Sequence, residues 1–208
     1  MERRGAMRPN TIICISREYG SGGHEIAEKL SEDLGIKLFD KELIARVAKM
    51  ADVSEEYVTQ REESGDYAYI FGVPIGHPAT TPMDECILTP EKLFVIQSIA
   101  IRQIAEQEKS CIFVGRCADV ILQKLPGSHS FFIHSSESVR IKRIMDTENV
   151  SEREAKRMMK KVDKERASYH NYYTKIKWGH PSNYELVINT GRTGIDKAVK
   201  VIESYLEE

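Results

Sequence analysis

The chain has 208 residues, 30 basic against 32 acidic side chains, a formal net charge of −2 and 41% hydrophobic residues. That composition suits one domain with a sizeable core and speaks against a nucleic-acid-binding surface. Four cysteines without metal-ligand spacing, no leader-like segment and no apolar run beyond a few residues point to a reduced, cytoplasmic protein without a membrane span.

In chain order the pattern is strand, turn, helix, repeated. Thr11–Ser16 is a short apolar run ahead of a glycine-rich turn, hence a buried strand. Glu25–Leu34 places Ile26, Ala27, Leu30 and Leu34 on one helical face, with Gly35 as its stop. Ile36–Phe39 reads as a second strand. Asp40 can cap a helix to about Ala51, and Val53–Glu63 reads as another. Residues 64–89 mix glycines, prolines and aromatics and read as a mobile insert. Pro90–Glu108 is a helix with proline in its first turn. Strand Cys111–Val114, helix Ala118–Leu125 and strand Ser130–His134 follow. Glu137–Met145 is a short helix. Ser151 and Glu154 form a capping box that opens a long charged helix to about Ser168. Tyr184–Asn189 is the last strand, and Thr193 and Asp196 cap the last helix.

Five apolar strands alternating with helices predict an α/β fold, a parallel sheet covered on both faces. Ligands of such sheets sit beyond the C-terminal strand ends. The chemistry is therefore expected after Ser16, Phe39, Val114, His134 and Asn189. Charge is uneven as well: residues 137–177 carry 12 basic and 7 acidic side chains. A basic segment on an acidic body suggests a local anion site.

Ser16-Arg17-Glu18-Tyr19-Gly20-Ser21-Gly22-Gly23-His24 lies between the first strand and the first helix. Its glycines permit a tight turn with inward N–H groups, and the helix N-terminus adds partial positive charge, so a phosphate is favoured there. The stretch from Ile15 through His24 to Ala27, with Phe39–Ile44, Val114–Ile121 and Lys177–Tyr184, resembles the cytidylate kinase-like family of P-loop nucleoside monophosphate kinases. The resemblance covers about residues 10 to 205. It implies a three-layer α/β/α P-loop kinase domain, with 64–89 as the acceptor-side insert and 137–177 as a basic helical lid. It further implies ATP with Mg²⁺ at the first loop and a monophosphate acceptor nearby.

By this resemblance the loop residues Gly20, Ser21, Gly22, Gly23 and His24 hold donor phosphates. Arg46 and Arg116 hold the acceptor phosphate, a task that suits bidentate guanidinium forks. Asp40 orients the acceptor or a metal-bound water. Arg140 and Arg143, three apart on one helix, reach the donor, and Arg143 and Arg166 shield the transferred charge. Arg192 lies where relatives surround the donor adenine. There are departures. The usual loop ends in Gly-Lys-Ser/Thr, whereas Gly22-Gly23-His24 stands here, without lysine or hydroxyl. Arg17 is the nearest replacement cation. Cys117 stands where cytidylate kinases carry a base-reading aspartate, and Asp119 is two residues displaced. No protein ligand for a metal is apparent.

The expected function is ATP-dependent phosphoryl transfer to a nucleoside monophosphate, CMP or dCMP by default, by a monomer or homodimer. Two other readings stand beside it: a nucleotide sensor without turnover, and a kinase of a non-nucleotide small molecule.

Overall fold

The computed structural model describes residues 10–63 and 89–207. The predicted insert, residues 64–89, lies outside the described residues apart from Thr89. The chain divides into two compact units, residues 1–40 with 101–208 and residues 41–100.

The larger unit holds a five-stranded, all-parallel sheet. Its strands are β1 (Ile12–Arg17), β2 (Lys37–Phe39), β3 (Cys111–Val114), β4 (Ser128–His134) and β5 (Leu186–Asn189), in the order β2-β3-β1-β4-β5. The register sets Ile15 beside Val114 and Phe131. Parallel strands need crossovers, and helices supply them. Helix α1 (Gly23–Leu34) ends at Gly35, as predicted. It packs with α9 (Ile195–Glu207) on one sheet face. There Ile13, Ile15, Leu30, Phe131, Ile133 and Ile202 form the core. Each such side chain contributes roughly 1.5–3 kcal/mol on burial, which explains why short, wholly apolar strands suffice.

The smaller unit contains α2 (Lys41–Ala51), α3 (Glu55–Glu63) and the start of α4 (Pro90–Glu108). Leu43, Val47 and Val58 are buried, and the Ser54 hydroxyl caps α3 by accepting from the Tyr57 amide at 3.1 Å.

Several boundaries differ from the sequence reading. Helix α5 covers only Ala118–Ile121; the chain then turns, with the Leu125 amide donating to the Leu122 carbonyl at 2.8 Å and the Ser128 amide to the Leu125 carbonyl at 3.1 Å. Helix α6 (Glu137–Glu148) runs past Met145, and Asn149 takes the left-handed stop at φ 53°. Helix α7 (Glu152–Thr174) opens on the predicted Ser151 cap but continues past Ser168. Tyr184 is not in β5; with Trp178 it packs on Phe132 of β4, at ring distances of 5.0 and 5.2 Å. A short α8 (Thr190–Thr193), capped by Asn189, precedes α9. Asp196 binds Lys29 at 2.6 Å rather than serving as a cap. No described helix is long and apolar enough to cross a membrane.

Candidate active site

Connections leave the adjacent strands β1 and β4 toward opposite edges of the sheet, so a crevice opens beyond their C-terminal ends. The glycine loop fills its β1 side. Ser21 donates its amide to the Glu18 carbonyl at 3.3 Å, with Gly20 at φ 74° between them. A type II turn needs that left-handed third position, which glycine adopts without strain. Gly22 then forms the N-cap of α1, and no side chain caps the helix. The first amides of α1 are thus left for an external acceptor, and the helix dipole favours an anion there. Arg143 covers this point: a Cβ on Gly22 would sit 3.3 Å from its guanidinium. Arg143 donates to Glu25 in the first turn of α1 at 2.6 Å.

Three further arginines gather at the strand ends. Arg17 ends β1, Arg116 follows β3, and Arg166 comes from α7. The Arg17 side chain lies across the loop, so close to Gly115 that a Cβ there would collide with its guanidinium. Arg166 donates to the Arg17 carbonyl at 3.1 Å and stands over the Tyr19 ring at 5.6 Å. Arg116 donates to Asp40, at the end of β2, at 3.4 Å. Burial lowers the pKa of all three, and Arg17 is lowered further by the charges of Arg166 and Arg116. Asp40 works against this for both Arg116 and Arg17, as Asp163 does for Arg166. Among the described residues no carboxylate meets the Arg17 guanidinium within hydrogen-bond distance. Three guanidiniums held together, with Arg17 at the centre lacking a hydrogen-bonded carboxylate, offer a preorganised site for an anion.

Arg140 corrects the sequence reading. It is not a ligand-facing arginine: its side chain is 7% exposed and each of its three nitrogens is bonded within the protein. It binds Glu18 at 2.8 Å, the Tyr19 carbonyl at 2.8 Å and Asp163. Glu18 also accepts from the Ser135 amide, and Asp163 from the Tyr19 amide at 2.8 Å. The Tyr19 hydroxyl donates to Glu148 at 2.8 Å, and its pKa is pushed up to about 12 by burial and by that carboxylate. The α6–α7 hairpin is thereby tied to the glycine loop through Tyr19. It also has a small core of its own around Ile144 and Met159.

Three other expectations need correction. The Ser21 hydroxyl is buried and donates to the Glu18 carbonyl at 2.8 Å, so it faces no ligand. Cys117 is buried, with its thiol pKa raised by burial, and does not line an acceptor site. Asp119 turns inward and receives His170 Nε2 at 3.0 Å. Of the remainder, His24 is exposed and lies 3.4 Å from Glu28. Arg192 is exposed on α8, and Arg46 is half-buried on α2 in the other unit. The sequence reading missed Glu18 and Tyr19 as site-building residues, for which polar side chains inside a glycine loop were the available signal. A polar cleft of about 270 Å³, lined by Asp119, by Ser128 and Ser130 of β4 and by Glu185 ahead of β5, includes none of these arginines.

The model of the cytidylate kinase-like family matches residues 12–192, which include the loop, Arg116 and the whole α6–α7 hairpin. The chain belongs to the cytidylate kinase-like family. The family's chemistry is kinase-like phosphoryl transfer on a P-loop nucleotide-binding fold. A crystal structure of an uncharacterized protein from Eubacterium ventriosum ATCC 27560 is 33% identical, with a TM-score of 0.71 over 95% of this chain and 99% of that one. Shikimate kinase from Bacteroides thetaiotaomicron is 13% identical, TM-score 0.54, over 95% and 99%. A gluconokinase from Sinorhizobium meliloti 1021 is 14% identical, TM-score 0.54, over 96% and 93%. The last two show a shared fold. No curated protein matches the sequence significantly.

Proposed function

We propose that this protein transfers the γ-phosphoryl group of ATP to a small anionic acceptor, with CMP or dCMP the first candidates. The observation that carries this reading is the arginine cluster Arg17, Arg116 and Arg166 beside the uncapped start of α1. The amides of Gly22 to His24 and the Arg143 guanidinium face donor phosphates. Arg17 replaces the missing lysine. Arg116 and Arg166 meet the acceptor and the charge that spreads over the transferred oxygens. An acceptor phosphate oxygen attacks the γ-phosphorus, the bond to the β-bridging oxygen breaks, and ADP leaves with that electron pair. A phosphate dianion needs no base for this step; catalysis is positioning and electrostatics.

The loop does not fit a protein-held Mg²⁺. Ser21 is turned away, His24 replaces the hydroxyl residue, and among the described residues no cluster of three His, Cys, Asp or Glu side chains can hold a metal. Any ion comes with the triphosphate, and no step here depends on a protein ligand to it.

One observation favours a second reading, a non-nucleotide acceptor. Asp119 is committed to His170 and Cys117 is buried, so neither reads a base. A hydroxyl acceptor would need a base, and Asp40 is the carboxylate on the arginine cluster. The structural neighbours named for shikimate and gluconate are compatible with that chemistry. The test is ADP release from Mg·ATP against CMP, dCMP, UMP, AMP, GMP, shikimate and gluconate. Turnover with one monophosphate supports the first reading, and turnover with a hydroxyl compound alone supports the second. ATP-dependent stabilisation without turnover on any acceptor would leave a nucleotide sensor.

A further inference from the structure

The turn that carries Arg116 is strained. Gly115, Arg116 and Cys117 follow one another at φ 74°, 55° and 58°. Non-glycine residues in this region persist only where the surroundings over-determine them. The Gly115 amide donates to the Ile15 carbonyl at 2.9 Å, and the Ala118 amide donates back to the Gly115 carbonyl at 3.1 Å. The next residue, Asp119, is the anchor. Its side chain is 3% exposed and accepts from His170, itself 4% exposed. The other ring nitrogen of His170 lies 3.1 Å from the Ile176 carbonyl, just beyond α7, and 3.3 Å from the Thr174 hydroxyl.

His170 lies four residues after Arg166 on α7, one turn along the same face. Asp119 lies three residues after Arg116. One buried pair thus joins the short helix behind Arg116 to the helix turn behind Arg166. Two features argue against a role in stability alone. Asp119 Oδ1 has no hydrogen-bond partner among the described residues. Replacing both partners of a buried hydrogen-bonded pair by apolar groups of the same shape is also commonly near neutral for stability. We infer that Asp119 and His170 are a positioning pair that aims Arg116 and Arg166 at one anion. This rests on the arginine cluster being the anion site.

The test uses the full chain and inorganic pyrophosphate as probe, with dissociation constants from calorimetry and folding checked by near-UV circular dichroism. Asp119→Asn keeps the shape and removes the charge; His170→Gln is the second variant should the first not fold. We expect Asp119→Asn and Arg116→Ala each to weaken pyrophosphate binding about tenfold, in the range of one charge-assisted hydrogen bond. The double variant should lose well under the product of the two single losses, because the part of the Asp119 effect that runs through Arg116 is already gone. Asp119→Asn combined with Arg143→Ala should instead multiply, since Arg143 is held by Glu25. A merely structural role would multiply in both cycles. Multiplying effects with Arg116→Ala, or a folded Asp119→Asn that binds like wild type, overturn the inference alone. Wild-type protein that binds no pyrophosphate overturns the cluster reading, and the inference with it.

Discussion

Replacing Arg17 by methionine should stabilise the ligand-free protein while weakening its hold on anions. Arg17 sits between Arg166 and Arg116, desolvated, and its lowered pKa records both burial and like-charge repulsion. Methionine has a comparable stem, and Arg17 donates no hydrogen bond among the described residues that its loss would break. Relief of one charge in a partly buried cluster is worth about 1 kcal/mol, since charge–charge interactions at an effective dielectric near 20 are only partly screened. For a domain of this size that raises Tm by roughly 2–4 °C. Against this, one charge-assisted hydrogen bond to phosphate is worth about 1.5–3 kcal/mol, or a tenfold to hundredfold loss in affinity for ATP or for the transition state. Two measurements on one sample decide it: the Tm of the free protein, and the Tm shift with saturating ATP, supported by kcat/KM once an acceptor is known. Arg17→Lys should recover most of the ATP shift. A free-protein Tm that falls by several degrees would mean that Arg17 holds the loop together. An unchanged ATP shift would mean that its charge does not face the nucleotide.

Glu25→Gln should act in the opposite sense on binding. Glu25 occupies Arg143 over the α1 N-terminus through a half-exposed pair, worth about 0.2–1 kcal/mol. Its removal should tighten ATP roughly twofold to fivefold by calorimetry and cost a little helix stability, as acidic residues favour that end. Arg140→Ala should lower stability by about 2–3 kcal/mol in urea unfolding, because it removes the buried partner of the half-buried carboxylates Glu18 and Asp163. Tyr19 carries a raised pKa of about 12 against an ordinary value of 10. Its contribution is therefore present below pH 10 and is lost as pH rises towards 12, so Tyr19→Phe should flatten part of the alkaline decline in Tm. Thiol titration of the native protein at pH 8 should leave Cys14, Cys111 and Cys117 unreacted, since all three are buried with raised pKa values. Modification of any of them before unfolding would contradict that packing.

The sequence alone determined the scaffold, because each part rests on a local pattern. Wholly apolar runs such as Ile12–Ile15 and Cys111–Val114 read as buried strands, and Gly35 read as a helix stop. A glycine-rich turn after the first strand and an arginine after the third are found at the same ends of adjacent strands. Where the local signal weakened, boundaries slipped. Helix α7 passes Ser168 because His170 is anchored and Tyr169, Tyr172 and Tyr173 pack on one another, which overrides their poor helix propensity. The fate of each charged side chain was decided only in three dimensions. Arg140 and Arg143 are equivalent in sequence, yet one is buried among Glu18, Asp163 and Tyr19 while the other stands over Gly22. Asp119 reads as a candidate acceptor contact until His170, 51 residues away, claims it. Such assignments depend on which distant charge a fold brings within about 3 Å, and burial makes that partner decisive, because a charge removed from water must be matched where it lies.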